Sequence, residues 1–219
     1  MLGGRYALRH RLRGDSTDAG WQAHDQTLDR VVAVRVVAAD HPHRAAMLDA
    51  ARRAAGVEDP RLLRVLDVGS DAQVAFVVSE WVAADTLAER LRRAPLPGEV
   101  VRTLVGEASL ALENVRRRGL HHLVLAPEDV HLVDDDTIKI SGLAVHAALA
   151  GQDDHSGGAD AASARDAEAL LALAYAGLTG YWPLATPTSL PAAPRVGSVP
   201  AAPSEVVSGV PTDLDALCS

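Results

Sequence analysis

Arg35 is the residue most in need of a chemical reason. It interrupts Val31-Val32-Ala33-Val34-Arg35-Val36-Val37, a run otherwise free of polar side chains. Such a run, bounded by charged segments, predicts a strand buried on both faces. A lone cation inside it requires an anionic partner or an open site to point into. Its planar fork suits phosphate or carboxylate. His121 and His122 come next, because two imidazoles could ligate a metal. Successive side chains on an extended segment point opposite ways, so a structural role for His122 outweighs a metal site. Lys139 is the only lysine and Cys218 the only cysteine. One cysteine excludes an internal disulfide and a multi-cysteine metal site, and suits a reducing compartment.

The elements that must hold these groups follow from periodicity. Tyr6, Leu8, His10 and Leu12 alternate as one face of a first strand. The turn-rich stretch Arg13-Gly14-Asp15-Ser16-Thr17-Asp18-Ala19-Gly20 leads to a second strand around Trp21 and Ala23. A charged turn from Asp25 to Arg30 then enters the run that holds Arg35. Ala45, Leu48, Ala51 and Ala55 fall at helical spacing within 41–55, closed by Gly56. Strands over 62–68 and 74–82 flank the turn Gly69-Ser70-Asp71. Residues 1–82 are thus expected to form an antiparallel five-stranded lobe with one helix.

Residues 83–184 read as a mainly helical second lobe. Thr86-Leu87-Ala88-Glu89 is a capping box opening a short helix to Ala94, which Pro95 and Pro97 end. A long helix is predicted over 99–118, with Val101, Leu104, Val105, Ala108, Leu112 and Val115 as its inner stripe. Glu99 near its start, Arg116-Arg117-Arg118 at its end and Gly119 beyond suit the dipole and the left-handed cap. Strands 130–133 and 137–140 flank Asp134-Asp135-Asp136 as a hairpin. Residues 151–159 read as a loop, and Ser163 as the cap of a helix over 164–178. From 185 to 219 the chain is Pro/Ala-rich, which reads as a flexible linker running into the start of a truncated helix.

Composition narrows the function classes. The net charge of −8 argues against a nucleic-acid partner. Hydrophobic residues make up 48% and aromatics only 3%, so the core is built from Ala, Val and Leu. No apolar run approaches the roughly 20 residues needed to span a bilayer, and the first residues are not a signal peptide. The expectation is a cytoplasmic domain, with any membrane link through other parts of a longer polypeptide. Abundant Ala, and Arg in place of Lys, suggest a GC-rich bacterial genome.

The order of elements resembles the two-lobed protein kinase fold, an α+β architecture, over residues 5 to about 184. Four landmarks fall at kinase intervals: Val32-Ala33-Val34-Arg35; Glu80-Trp81-Val82 as a hinge; His122 with Pro127 from the catalytic loop; and Asp166 with Leu178-Thr179-Gly180-Tyr181-Trp182-Pro183. The resemblance implies that Asp166 and His122 are structural, Asp166 holding the catalytic-loop backbone. It also marks departures. The phosphate-gripping Lys is Arg35, and the helix Glu that should pair with it is Ala50, with Asp49 next door as a partner only after helix rotation. The catalytic Asp is Val124 and the loop Lys is Ala126. The metal-binding Asn is Asp129, an oxygen ligand but alone. The Asp that holds Mg²⁺ is Gly142, in Gly142-Leu143-Ala144. The glycine loop carries Asp15 and Asp18, which repel a triphosphate, so it reads as a plain solvated turn. The activation segment before Asp166 is reduced.

These losses lead to the expectation of a catalytically inactive pseudokinase, not an enzyme, with no cofactor and no metal. Its role would be a phosphorylation-regulated scaffold. Within that group the sequence resembles the kinase-homology domain of actinobacterial MviN-type lipid II flippases. That implies a membrane-associated role in regulating peptidoglycan (cell wall) biosynthesis, phosphorylation by a Ser/Thr kinase, and a forkhead-associated domain partner. Thr186 and Thr188 are the candidate phosphosites. The alternatives are a metal-independent nucleotide sensor, an atypical weakly active kinase, and a purely structural domain.

Overall fold

The computed structural model describes residues 1–14, 17–134, 137–152 and 158–219. Asp15, one of the two acidic loop residues, lies outside them, as do Asp135 and Asp136 of the expected hairpin turn. Strands β1 (Tyr6–Gly14), β2 (Asp18–Asp25) and β3 (Arg30–Ala38) form a meander, followed by helix α1 (Arg44–Ala54) and strands β4 (Val65–Ser70) and β5 (Val74–Glu80). They make one antiparallel five-stranded sheet in the order β1-β2-β3-β5-β4.

The period of two explains how β3 serves two masters. Val32, Val34 and Val36 pack with Tyr6, Ala23, Phe76 and Val78 on one face. Val37 packs with Met47, Leu48 and Ala51 of α1 on the other. Arg35 belongs to this second face, paired opposite Gly20 of β2 and Val77 of β5. The strand is not buried throughout as expected, because Val31 at its start is exposed. The inner face of α1 is also rotated from the expected one: Met47, Leu48, Ala50, Ala51 and Ala54 are buried, while Ala45 and Ala55 are exposed. In β1 two register shifts break the strict alternation, leaving Leu12 exposed.

Leu62 is not in β4 but in a bridge to Ile140, where Leu63 N donates to Ile140 O at 2.8 Å and Ile140 N to Arg61 O at 2.7 Å. This pairing ties the sheet lobe to the second lobe. There β6 (Asp85–Thr86) precedes α2 (Leu87–Leu91), and the capping box is formed: Glu89 N donates to Thr86 Oγ1 at 3.2 Å and Thr86 N to Glu89 Oε2 at 2.8 Å. Helix α3 (Gly98–Arg117) buries Val101, Leu104, Ala108, Ala111, Leu112 and Val115 against α5 (Gly158–Thr179). Between them lie the hairpin β7 (Val130–Leu132) and β8 (Ile138–Ile140) and a one-turn helix, α4 (Val145–Leu149), that no periodicity announced. Helix α5 starts well before the expected cap, so Ser163 lies inside it, with its Oγ 3.1 Å from His121 Nε2.

Residues 185–219, expected as a linker, are packed against the helical lobe. Leu190, Ala193, Ala201 and Leu214 are buried, and Tyr175 Oη donates to Ala201 O at 3.0 Å. Composition hid this because each Ala and Pro buries little area, and the hold comes from main-chain pairing such as Ala193 N to Trp182 O at 2.8 Å. Among the described residues no helix is long and apolar enough to cross a membrane.

Candidate functional site

The cleft between the lobes gathers Arg35, Asp129, Gly142 and Thr188 of the site residues singled out in the sequence, and leaves Ala50, His122, Val124, Asp166 and Thr186 outside its lining. Its inner slot is walled by Trp21, Ala33, Val34 and Val77 from the sheet, Trp81 and Val82 from the connection, and Leu143 and Val145 from below. The slot has a volume of about 120 Å³, somewhat under the ~150 Å³ apolar cavity that takes a benzene ring. It opens into a polar mouth of about 560 Å³ lined by Asp18, Arg35, Glu128, Asp129, His146 and Thr188. Arg35 and His146 line both compartments.

Arg35 has found its anion across the sheet. Its Nε and Nη2 donate to the two carboxylate oxygens of Asp18, and both side chains are about one-fifth exposed. The pair with Asp49 does not form; Asp49 bonds Arg53 one turn on at 3.3 Å, and Ala50 is buried in the core. At the slot's outer edge, burial pushes the Glu80 carboxyl up. The Arg64 guanidinium at 2.8 Å and the Arg64 backbone N–H outweigh that and hold it below the usual range.

The loop beneath the mouth is pinned from behind. Asp166 is buried, and its carboxylate accepts from His122 N at 3.1 Å and Leu123 N at 2.7 Å. That grip holds Leu123 at φ +66°, a left-handed conformation uncommon for a residue with a side chain. His122 is fully buried, and its Nε2 donates to Ser141 O at 2.9 Å. Val124 packs beside Leu123, Ala147 and Ala162.

His146 was not singled out by the sequence, yet it is central. Its Nδ1 lies 3.0 Å from Asp129 Oδ1, while Asp129 Oδ2 accepts from Ala126 N at 3.1 Å. A Cβ on Gly142 would sit 2.1 Å from His146 Nδ1. The imidazole thus fills the space that a side chain at 142 would need. The one signal available was Gly142 itself, a side chain missing where an acid was expected. This donor set does not fit a divalent cation. Both Asp129 oxygens are engaged by donors, position 142 has no carboxylate, and the described residues contain no cluster of three metal-ligating side chains. His121 and His122 diverge to Ser163 and Ser141, as expected for extended neighbours.

No family model matches the chain. Among solved structures it is similar to Rad53 in complex with AMP-PNP, with a TM-score of 0.69, 16% identity, and 84% of this chain and 51% of that one covered. The Mycobacterium tuberculosis PknI kinase domain superposes with a TM-score of 0.67 at 19% identity, covering 92% and 80%. The chain has a protein kinase-like fold. Its curated relatives include the serine/threonine-protein kinase PknL of M. tuberculosis, 28% identical over 242 residues, 99% of this chain and 60% of that protein. A probable serine/threonine-protein kinase of Streptomyces coelicolor is 30% identical over 158 residues, 68% of this chain and 23% of that one. The kinase-like chain therefore spans less than two thirds of the length of these relatives.

These likenesses overturn the expectation that the kinase-like chain is not an enzyme: the relatives are named serine/threonine kinases, and the neighbouring structures include a kinase domain. The expectation rested on the combined losses at Arg35, Val124 and Gly142, and the kinase relatives run against that inference. The Asp129–His146 pair, contributed by a residue outside every expected motif, could not be weighed from the sequence.

Proposed function

We propose that this domain is an atypical, weakly active kinase-fold phosphotransferase that takes a nucleoside triphosphate in the interlobe cleft without a divalent metal. The observation that carries the reading is the junction of an apolar slot and a polar mouth at Arg35 and His146. A planar base suits the slot between Val34, Trp81 and Leu143, once the lobes part enough to widen it. The phosphates would then lie in the mouth, where Arg35 can exchange Asp18 for a phosphate oxygen. The fork geometry of Arg is matched to that contact. Charge that a metal would otherwise neutralise falls to Arg35 and to His146 when protonated. With two cations where kinases use several charges, transition-state stabilisation is smaller and turnover slow.

Trp21 and Trp81 make the test direct. Adding ATP in the presence of EDTA should quench their fluorescence, and Arg35→Ala should weaken binding about tenfold or more, the size of a lost charge-assisted hydrogen bond. Slow transfer of label to a Ser/Thr peptide should accompany binding. No quench and no calorimetric heat at millimolar nucleotide would sink the reading. Regulation of peptidoglycan synthesis, an upstream Ser/Thr kinase, a forkhead-associated partner and membrane association through a longer polypeptide remain expectations of the sequence resemblance.

A further inference from the structure

The mouth of the cleft is closed on one side by the chain itself. Pro187-Thr188-Ser189 follows the Trp182 turn and forms part of the same wall as Arg35, Asp129 and His146. The strap is clasped to the loop beneath. Ser189 N and Ser189 Oγ both donate to Glu128 Oε1, at 2.7 and 2.6 Å, and Glu128 directly precedes Asp129. A residue adjacent to the clasp is thereby held at the mouth. Thr188 Oγ1 accepts from Leu190 N at 3.3 Å, which orients the hydroxyl without consuming its hydrogen. Ser189 differs, because its hydroxyl hydrogen is committed to Glu128. Thr186 differs too: it lies outside the mouth, and its Oγ1 accepts from Trp182 Nε1 at 3.1 Å.

We propose that Thr188 is an intramolecular phosphate acceptor of this cleft. The proposal rests on the nucleotide reading above and specifies its first substrate. Thr188 Oγ1 attacks the terminal phosphorus of a bound nucleoside triphosphate. The new bond is Oγ1–P, and the bond that breaks joins that phosphorus to the bridging oxygen, leaving a nucleoside diphosphate. The hydroxyl proton passes to the Asp129 carboxylate, beside the protonated His146, and no electrons change hands. Proximity does most of the work. An acceptor already docked is presented at high effective concentration, which suits a site with modest charge stabilisation. A phosphate placed on Thr188 would lie beside Glu128 and Asp129, where like-charge repulsion favours release of the strap from the clasp.

The experiment incubates the full chain with ATP and EDTA, maps phosphate by mass spectrometry, and follows tryptophan quenching in the same samples. The expected result is phosphate on Thr188, formed at a rate per molecule that is constant over a hundredfold dilution of protein. Thr188→Val, which keeps the shape of the side chain, should cut incorporation more than tenfold while quenching by ATP persists. Phosphate on Thr186 or elsewhere, or a rate that rises with protein concentration, overturns the proposal. So does quenching with no phosphate on the chain, or with transfer only to an added peptide, and these outcomes leave the nucleotide reading standing. Absence of quenching sinks both.

Discussion

Asp166 pins the loop beneath the cleft from behind. Its two oxygens satisfy successive backbone N–H groups, and in doing so fix Leu123 in a conformation that an L-residue avoids. Asp166→Ala strands two buried donors at ~1–3 kcal/mol each, so a loss of about 2–6 kcal/mol is expected. Asp166→Asn should recover little, because its amide would turn a donor toward one of the two N–H groups. Urea unfolding checks both: the midpoint should fall for each variant, and an Asn variant as stable as the parent would contradict the geometry. Asp166 was legible in the sequence because Leu178-Thr179-Gly180 fixed its frame. Thr179 Oγ1 donates to Tyr175 O at 2.8 Å, and Gly180 takes φ +79°, which ends the helix where the motif says it should. His146 had no such frame. Its role arises from a missing Cβ four residues earlier and a carboxylate 17 positions away in sequence, and neither leaves a local pattern.

Helix α4 shows why some elements escaped the sequence. It has five residues, too few to display a period, and isolated helices of that length are unstable. It forms because Ala144, at φ +57°, turns the chain and because Val145, Ala147 and Ala148 find buried sites. The sheet was readable for the opposite reason: β3 and β5 are long and rich in β-branched Val, and turn residues bound the strands. The tail was misjudged because its order depends on partners in α3 and α5, such as Arg102, which meets Asp213 at 2.7 Å. The turn that opens α4 carries a testable constraint. Restoring an acid with Gly142→Asp should drive Cβ into His146 and strain a backbone at φ +77°. The expected loss is a few kcal/mol, from overpacking at ~1–3 and the left-handed backbone at ~1–2. Adding His146→Ala should restore the overpacking share and leave the backbone share. Thermal melts of the two single variants and the double variant measure the coupling. Additive losses would mean that His146 does not fill the space at 142.

At the scale of the whole molecule, the two lobes share a main-chain bridge at Leu62 and Ile140, so loss of the sheet should be felt as one transition. The sheet's closure point is an ionic knot. Arg5 Nε and Nη2 donate to Asp25 at 2.7 and 2.6 Å, and Tyr6 Oη donates to Asp67 at 2.6 Å. The Arg5 guanidinium, with the backbone N–H groups of Thr27 and Leu28, holds the buried Asp25 carboxyl down to about 2. A carboxyl whose folded value lies below its unfolded ~3.9 adds stability that is complete above that pH. The contribution fades as the pH falls toward 2. Tyr6 sets the other limit: burial, then the bond to Asp67, raises its phenol, so its contribution is full below pH ~10 and is lost as the pH climbs beyond. The contributions of these two groups should therefore be constant between these limits and fall outside them. Glu113 is also held at about 2, by Arg116 and Arg117, but on the exposed end of α3. Salt separates the two carboxylates. Raising ionic strength to about 1 M, where the Debye length is ~3 Å, should erase the Glu113 share of the acid limb and spare most of the Asp25 share. Asp25→Asn should flatten the salt-resistant limb, and Tyr6→Phe the alkaline one. Denaturant midpoints measured across pH at two salt concentrations decide the matter. An acid limb that is wholly salt-sensitive would relocate the acid-labile point from the sheet to the end of α3.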